Sequence, residues 1–411
     1  MYLKTSIQVL TACIFFLNAD RMVYSQSISR DSARAFSGIT PLKDIVDVFK
    51  SVRKRNVVAI PDSSETKRSR SAFIPILYPG YAQVTGFQAV LTSNFLFYTE
   101  RGENAKISSI LMNNLYTQNN QIINLINSNI WTPGGKFNLV GDFRLYKFPT
   151  NTFGLGSSST LDDKQHVDYS YLKIYEVVMR KIASNLSGGM GYDFDYHWNI
   201  SETPRENGDS TDIERYGFDK TSSSSGITLN IQYDSRLSSN NPLQGTYAFL
   251  ELRNNIKAIG SDNNWQSMLL DVRKYIPVSK RSNNVLALWS YNWITIKGNI
   301  PYFDLPSLGW DHYNNMGRGY VQGRYRAWNM VYAEAEYRFH LTKNGLLGGV
   351  LFTNASTLTE YPSNTWENVN PGAGLGLRIK MNKLSNTNFA IDYGFGVGGS
   401  RGLSFNLNEV F

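Results

Sequence analysis

From Phe73 onward, apolar and polar side chains alternate in repeated short stretches, and this period of two residues constrains the fold more than any other feature of the chain. In 226–234, Ile, Leu, Ile and Tyr alternate with Thr, Asn and Gln. The stretches 331–340 and 373–380 have an apolar or aromatic face opposite a face of polar, charged or glycine residues. Successive side chains of a β-strand point to opposite faces, whereas a helix repeats every ~3.6 residues, so the pattern predicts strands.

The predicted strands are about ten residues long, which exceeds the ~5–6 residues usual in soluble sheets. Long strands with one apolar face and one polar face are typical of outer-membrane barrels. A hydrophobic fraction of 42% suffices there, because only every second residue faces lipid. We therefore predict an all-β fold over 71–411, a transmembrane antiparallel β-barrel of about sixteen strands in the bacterial cell outer membrane. The expected strands include 73–79, 324–341 and 402–411, and long outer loops are expected at 199–222, 299–323 and 357–370.

The N-terminal region is predicted to be a secretory signal peptide followed by a linker. Residues 1–25 contain Lys4, an apolar stretch over 7–17 and a small residue at Ser25, the pattern of a secretory signal peptide; a short membrane anchor is the alternative. Residues 26–70 hold ten basic and five acidic residues, so they carry +5 of the formal net charge of +8. We interpret them as a basic periplasmic linker, within which 41–55 could form one amphipathic helix.

No constellation of reactive side chains predicts an enzyme. The four histidines lack metal-ligand spacing, so we expect no metal site and no cofactor. His197 lies near Asp193, Asp195 and Ser201, but no nucleophile motif accompanies them. The glycine run 394–399 follows a strand and precedes no helix, so we expect it to make room for a luminal loop rather than to bind phosphate. A nucleic-acid partner is not expected for a secreted barrel.

The last predicted strand ends in a pattern that assembly machinery recognises in barrel proteins. It consists of a polar residue, a glycine and two apolar residues at fixed spacing, followed here by an aromatic residue: Ser400, Gly402, Phe405, Leu407 and Phe411. We predict that this stretch is the C-terminal assembly signal and that Phe411 is part of the last strand.

Four stretches, in consistent order over about 71–411, resemble the BamA/TamA surface-antigen superfamily of outer-membrane barrels. They are 73–78 with 85–87, a mid-barrel motif, an Arg-Gly-Tyr loop motif, and 371–378 with 391–394. The mid-barrel motif consists of Asp234, Arg236, Asn241, Pro242 and Gly245. Members of the family that insert or secrete proteins usually carry periplasmic POTRA modules, for which 26–70 is expected to be too short.

The resemblance implies that the loop containing Arg318, Gly319 and Tyr320 folds back into the barrel lumen. A buried arginine needs anions or several acceptors there. The family's usual partner is an Asp in a Phe-x-Asp-x-Gly strand, and this chain has Asn354 at the corresponding position. By strand parity Glu334 and Glu336 face the lumen, so we predict Glu336 as the first partner of the arginine and Glu334 as the second. The alternative is a surface-loop arginine that contacts lipopolysaccharide.

The resemblance implies a function in the assembly, insertion or translocation of proteins at the outer membrane. The expected partners are outer-membrane lipid and lipopolysaccharide, client barrel proteins and separate periplasmic proteins. In the family, the first and last strands pair poorly and can part. We expect a weak seam here, because Pro75 and Pro79 interrupt the first strand and glycines weaken the last one; the alternative is that the two terminal strands only fray. The alternative function is a channel or structural barrel that is plugged by the Arg318 loop.

Overall fold

The computed structural model describes residues 42–45, 47, 48, 51, 71–102, 105–203, 210–217, 220–279, 282–383 and 386–411. The predicted signal peptide and most of the predicted linker lie outside these residues. No helix in the described part of the chain is long and apolar enough to cross a membrane. A short helix, α1, spans Asp212–Tyr216.

The body of the protein is one antiparallel sheet of 17 strands. In chain order they are β1 (Ser71–Ala82), β2 (Gly86–Tyr98), β3 (Ile107–Thr117), β4 (Ile122–Trp131), β5 (Phe137–Lys147), β6 (Thr150–Thr152), β7 (Gln165–Ala183), β8 (Leu186–Glu202), β9 (Ser222–Asp234), β10 (Gly245–Asn255), β11 (Trp265–Ser279), β12 (Ser282–Gly298), β13 (Asn329–His340), β14 (Leu347–Leu358), β15 (Asn370–Asn382), β16 (Thr387–Gly396) and β17 (Arg401–Leu407).

The strands pair in chain order, from β1 with β2 to β16 with β17. The short β6 continues the line of β5, and both pair with β7. Sixteen strands thus form the wall of a nearly closed barrel, which confirms the predicted all-β barrel.

The alternation in the sequence corresponds to the two faces of the barrel wall. In β9, Ile227, Leu229 and Ile231 are 44%, 53% and 51% exposed on the outer surface, whereas Thr228 and Asn230 are buried on the luminal face. Backbone groups are satisfied between strands, and the outer face of β9 from Ile227 to Ile231 carries only apolar side chains. This arrangement is the one that a lipid environment requires.

β1 is longer than the predicted strand 73–79, and its prolines do not interrupt it. It pairs with β2 over all 12 residues of Ser71–Ala82. Pro75 and Pro79 have the same parity, so the N–H groups that both lack would point to one edge of the strand. Because the ladder to β2 is unbroken, that edge is the one that faces β17. Proline is tolerated at such unpaired edges.

Two other predicted boundaries were wrong. β13 begins at Asn329, since 324–328 belong to the preceding loop, and β17 ends at Leu407. Asn408 has a φ of 76°, a left-handed conformation that asparagine tolerates, and the chain turns there from the wall into the lumen. Phe411 is therefore buried, with 3% of its surface exposed, and is not part of the last strand.

The barrel has a seam between β1 and β17. Both strands are wholly described, and no ladder joins them. Two contacts cross the seam near the β1–β2 turn: the Gln83 side chain donates to the carbonyl oxygen of Arg401 (3.0 Å), and the rings of Tyr81 and Phe405 are 6.2 Å apart. Every other strand of the wall pairs on both sides.

The described residues between 45 and 51, within the predicted helix 41–55, are helical. This segment lies against two turns at the end of the barrel opposite the β1–β2 turn. The backbone N–H of Lys43 donates to the carbonyl oxygen of Asn344 (3.0 Å), and Lys383 pairs with Asp47 (2.7 Å). Part of 26–70 thus docks on the barrel.

One acidic side chain lies on the outer wall far from both rims. β5 and β7 pair over the whole of β5, from Phe137 to Lys147, and Glu176 of β7 is opposite Gly141 near the middle. Its outer position follows from parity with Val178, which is 43% exposed. No described residue forms a hydrogen bond with the Glu176 carboxylate.

We expect Glu176→Leu to stabilise the barrel in a bilayer, because an uncompensated carboxyl group in the middle of the lipid-facing surface is costly. The expected gain is on the order of 1 kcal/mol. Reversible urea unfolding in phospholipid vesicles measures it, with Ile174→Leu on the same outer face as the matched control. A loss of stability in Glu176→Leu would contradict the lipid-facing placement.

Candidate functional site: the luminal loop and its charge network

Residues 299–328, between β12 and β13, fold into the barrel, and we call them the luminal loop. The loop is closed on itself, since the backbone N–H of Leu308 donates to the carbonyl oxygen of Tyr325 (2.9 Å). Leu308, Met316 and Tyr325 pack in one buried cluster with the luminal side chains of Trp289 and Tyr332. Apolar packing thus holds the loop against β12 and β13 before any charge is considered.

Arg318 of the luminal loop is buried among three carboxylates. Its guanidinium binds Asp392 at 2.9 Å and also contacts Glu334 and Glu336. The guanidinium carbon lies 3.7 Å from the ring centroid of Phe352, a favourable cation–π position. The Asn354 side chain donates to the carbonyl oxygen of Arg318 (3.0 Å), so it fixes the loop backbone rather than the charge.

The structure therefore brings Arg318 together with all of the side chains that were predicted around it, and adds Asp392. The aspartate was overlooked as a partner although it belongs to the stretch 391–394 that supports the family resemblance. Parity would have placed it in the lumen, because Tyr393 beside it is part of an outward aromatic pair with Phe395.

Glycines allow the loop backbone to touch the barrel wall. A Cβ added to Gly394 would lie 2.6 Å from the backbone nitrogen of Gly319, whose own φ of +100° is unfavourable for other residues. Tyr320 lies over Gly396, where a Cβ would be 2.4 Å from the tyrosine ring. The prediction that the glycine run makes room for a luminal loop is thus confirmed at Gly394 and Gly396.

The carboxylates around Arg318 are shared with two further arginines. Glu336 binds Arg338 at 2.5 Å, and Asp392 binds Arg378 at 2.6 Å. Both of these arginines also meet Glu409, which lies 2.7 Å from Arg378 and 3.8 Å from Arg338. We call this buried set the charge network: Arg318, Glu334, Glu336, Arg338, Arg378, Asp392 and Glu409.

The mid-barrel motif is not part of this network. The Arg236 guanidinium donates two hydrogen bonds to the Asp234 carboxylate (3.0 and 2.9 Å) at the turn after β9. Gly245 has a φ of +113°, and a Cβ there would lie 2.8 Å from the carbonyl oxygen of Ser235. Asn241 donates to the carbonyl oxygen of Asn386 (3.4 Å). The motif, with Pro242, therefore shapes one turn between β9 and β10.

The predicted assembly signal is divided by the inward turn at Asn408. Leu407 is 56% exposed on the outer wall with Phe405 on the same face, whereas Gly402 faces the lumen and Ser400 is buried just before β17. Phe411 packs inside the barrel, 5.1 Å from the ring centroid of Trp289. In the folded state this residue is hidden from the outer surface.

A second anchor holds the beginning of the luminal loop. Ser224 donates to Asp304 (2.6 Å), and the Asp304 carboxylate lies 3.7 Å from His197. Burial raises the pKa of Asp304 to about 7, and the negative charge of Asp195 acts in the same direction. The described residues contain no cluster of His, Cys, Asp and Glu that could hold a metal ion.

Residues 116–411 match the Omp85 superfamily domain. The chain belongs to the Omp85 superfamily. It is an outer-membrane β-barrel, and the resemblance seen in its motifs is confirmed. No curated protein matches the chain in sequence.

Two solved structures are similar to this member of the superfamily. BamA from Haemophilus ducreyi lacking POTRA domains 1–3 aligns with a TM-score of 0.58 and 14% identity, over 88% of this chain and 78% of that one. CdiB from Acinetobacter baumannii aligns with a TM-score of 0.55 and 13% identity, over 83% of this chain and 60% of that one. At these identities the likeness concerns the fold.

We expect Arg318→Leu to destabilise the barrel by about 3–5 kcal/mol, because it leaves buried carboxylates without their counter-charge. The loss is measured by urea unfolding and by the temperature at which the folded band disappears on gels. Arg215→Leu is the control: its side chain is 54% exposed, and its pair with Asp212 is worth less than about 1 kcal/mol. Normal heat resistance of Arg318→Leu would contradict the anchoring role.

A charge exchange tests how many carboxylates matter. Arg318→Glu combined with Glu336→Arg should recover only part of the stability that Arg318→Glu loses, since Glu334 and Asp392 would still face the new glutamate. Complete recovery would identify Glu336 as the sole partner and contradict the three-carboxylate site.

The Asp304 anchor should weaken as pH rises. Its folded pKa of about 7 exceeds the value of about 3.9 for an unfolded aspartate, so its contribution to stability is complete below about pH 4 and is lost as pH rises through 7. Hydrogen exchange in 299–311, corrected for intrinsic rates, should accelerate between pH 6 and 8. Asp304→Asn should remove this dependence, and an unchanged pH profile in that variant would show that another group titrates.

Proposed function

We propose that this protein acts, without enzymatic chemistry, in the assembly and insertion of proteins at the outer membrane or in their translocation across it. The observation that carries the proposal is the seam between β1 and β17, the one place in the described wall where neighbouring strands form no ladder. An open strand edge in a membrane is a template on which another chain can add a strand. The proposed clients are therefore β-barrel proteins.

The distribution of charge supports parting at this seam. β1, β2, β3 and β4 contain no Asp, Glu, Lys or Arg. The charge network lies instead on β13, β15 and β16, the luminal loop and the segment after β17. Moving β1 away from β17 would break no ion pair of this network. The hydrogen bond from Gln83 to Arg401 and the ring contact of Tyr81 with Phe405 across the seam are weak by comparison.

The buried luminal loop argues against a simple channel. The three-carboxylate contact of Arg318 and the apolar cluster below it hold the loop inside the barrel. A channel would give conductance in planar bilayers that rises when 299–323 is deleted. The proposed route through the seam requires no such rise.

An engineered disulfide tests the seam. Gln83→Cys with Gly402→Cys places two thiols where the Gln83 side chain already approaches residue 402. Oxidation should lower the assembly of client barrels in cells several-fold, and reduction should restore it. The measurement is the amount of folded, heat-modifiable client barrel in the membrane fraction.

The matched control joins β17 to its ladder partner. Tyr393→Cys with Leu403→Cys links two residues that are already opposite each other in β16 and β17, so oxidation should leave assembly unchanged. Full activity with the β1–β17 disulfide formed would contradict a function that needs the seam to open.

We further propose that 26–70 is a periplasmic linker that contacts separate periplasmic proteins. Its described part already lies on the turns after β13 and β15 through Lys43 and Asp47. Outer-membrane lipid and lipopolysaccharide are the proposed surroundings of the barrel wall.

A further inference from the structure

The segment 408–411 leaves the barrel wall for a reason that its own sequence supplies. Along β17, Leu403, Phe405 and Leu407 face outward. Had the strand continued, Glu409 would have the same parity and would face outward near the rim of the barrel, away from the arginines of the lumen. The turn at Asn408 takes Glu409 into the lumen instead.

The lumen offers Glu409 a complete set of partners. One carboxylate oxygen accepts from Arg378 Nε (2.7 Å), and the other accepts from the Asn388 side chain (2.6 Å). The Glu409 backbone N–H donates to the carbonyl oxygen of Asn240 (3.2 Å). Charge-assisted hydrogen bonds of this kind are strong and directional, so they define a carboxylate subsite.

The aromatic residue two positions later has a subsite of its own. The Phe411 ring lies 5.1 Å from that of Trp289 and 6.4 Å from that of Tyr275, and Arg338 donates to the Phe411 carbonyl oxygen (2.8 Å). Between the two subsites, the Asn315 side chain donates to the carbonyl oxygen of Val410 (3.0 Å). Asn315 belongs to the luminal loop, so the segment is held from above as well as from the wall.

These subsites do not depend on β17. They are built from β11, β12, β13, β15, β16, the turn between β9 and β10 and the luminal loop, and Arg378 is already oriented by Asp392 (2.6 Å). A small pocket, with a cavity volume of about 40 Å³, borders the carboxylate subsite and is also lined by Leu243 and Lys380. It lies at the end of the barrel where 42–45 docks, so a strand end approaches the subsites from that side once 408–411 has left.

We infer that the carboxylate subsite and the ring subsite together form a binding site for a strand end of the type Glu-x-aromatic. Residues 408–411 are the exchangeable ligand that occupies this site in the folded protein. The carboxylate selects glutamate, the ring subsite selects an aromatic residue, and the backbone contacts select an extended chain. Departure of 408–411 frees the end of β17, while a strand end of the same chemistry from a client barrel takes its place. The exchange with a client rests on the proposed function; the binding site itself does not.

Peptide binding tests the site directly. The receptor is the otherwise complete barrel without 408–411, refolded in detergent and checked for heat-modifiable mobility. A fluorescently labelled peptide of residues 404–411 should bind it, and the same peptide with Glu409→Gln or Phe411→Ala should bind at least about tenfold more weakly. The unmodified protein, whose site is filled, should bind the peptide far more weakly than the shortened one.

Two further variants distinguish an empty or weakened site from a misfolded barrel. Full-length Glu409→Ala with Phe411→Ala should vacate the site and bind the labelled peptide as the shortened barrel does. Asn388→Ala in the shortened barrel should lower its affinity for the peptide but not for a peptide with Glu409→Ala, which has no side-chain oxygen to accept from Asn388. Equal binding of the wild-type and Glu409→Gln peptides, or no binding by two folded vacated variants, would overturn the inference.

A second engineered disulfide, which we call the lock, tests the exchange independently of the proposed function. Asn315→Cys with Val410→Cys should hold 408–411 in place when oxidised and should lower client assembly until it is reduced. If this lock leaves assembly intact while the β1–β17 disulfide blocks it, the exchange is overturned and the proposed function stands. If neither disulfide affects assembly but the peptide still binds, the proposed function fails and the binding site stands.

Discussion

The burial of Arg318 is the constraint on which the rest of the lumen depends. A guanidinium removed from water must be matched by anions, and one carboxylate cannot satisfy its donors in a narrow barrel. Glu334, Glu336 and Asp392 supply that charge, but they would repel one another without further cations. Arg338 and Arg378 provide these cations: Arg338 is shared between two carboxylates and Arg378 among three.

This sharing links parts of the chain that are far apart in sequence. The luminal loop enters the network through Arg318, and the segment after β17 enters it through Glu409. The loop also touches that segment through Asn315 and Val410. Because a partly satisfied buried network is costly, the positions of the loop and of this segment are coupled.

The sequence could predict the barrel because alternation is a local signal that every strand repeats. It also placed Glu334 and Glu336 in the lumen, since parity follows from position within one strand. Parity also places Asp392 in the lumen, but its contact with Arg318 could not be predicted, because three strands converge on Arg318 only through the closure of the barrel. The inward turn at Asn408 was missed because the spacing of Phe405, Leu407 and Phe411 fits a continuing strand. The deciding residue is Glu409: it would share the outward parity of these residues, and a search for alternating apolar residues does not take it into account.

The prolines of β1 show how one residue type can carry opposite meanings. Read along the chain, Pro75 and Pro79 suggest a broken strand. In the barrel they leave the β1–β2 ladder intact and remove donors only from the edge that faces β17. β1, which forms this edge, and the next three strands, β2, β3 and β4, contain no charged side chain. One side of the seam is therefore held by hydrogen-bond ladders, apolar contacts and uncharged side-chain hydrogen bonds such as that from Thr92 to Asn113, while the other side carries the charge network. We expect a barrel built in this way to resist deformation around Arg318, and under the proposed function it opens beside β1, where no ion pair of the charge network joins the strands.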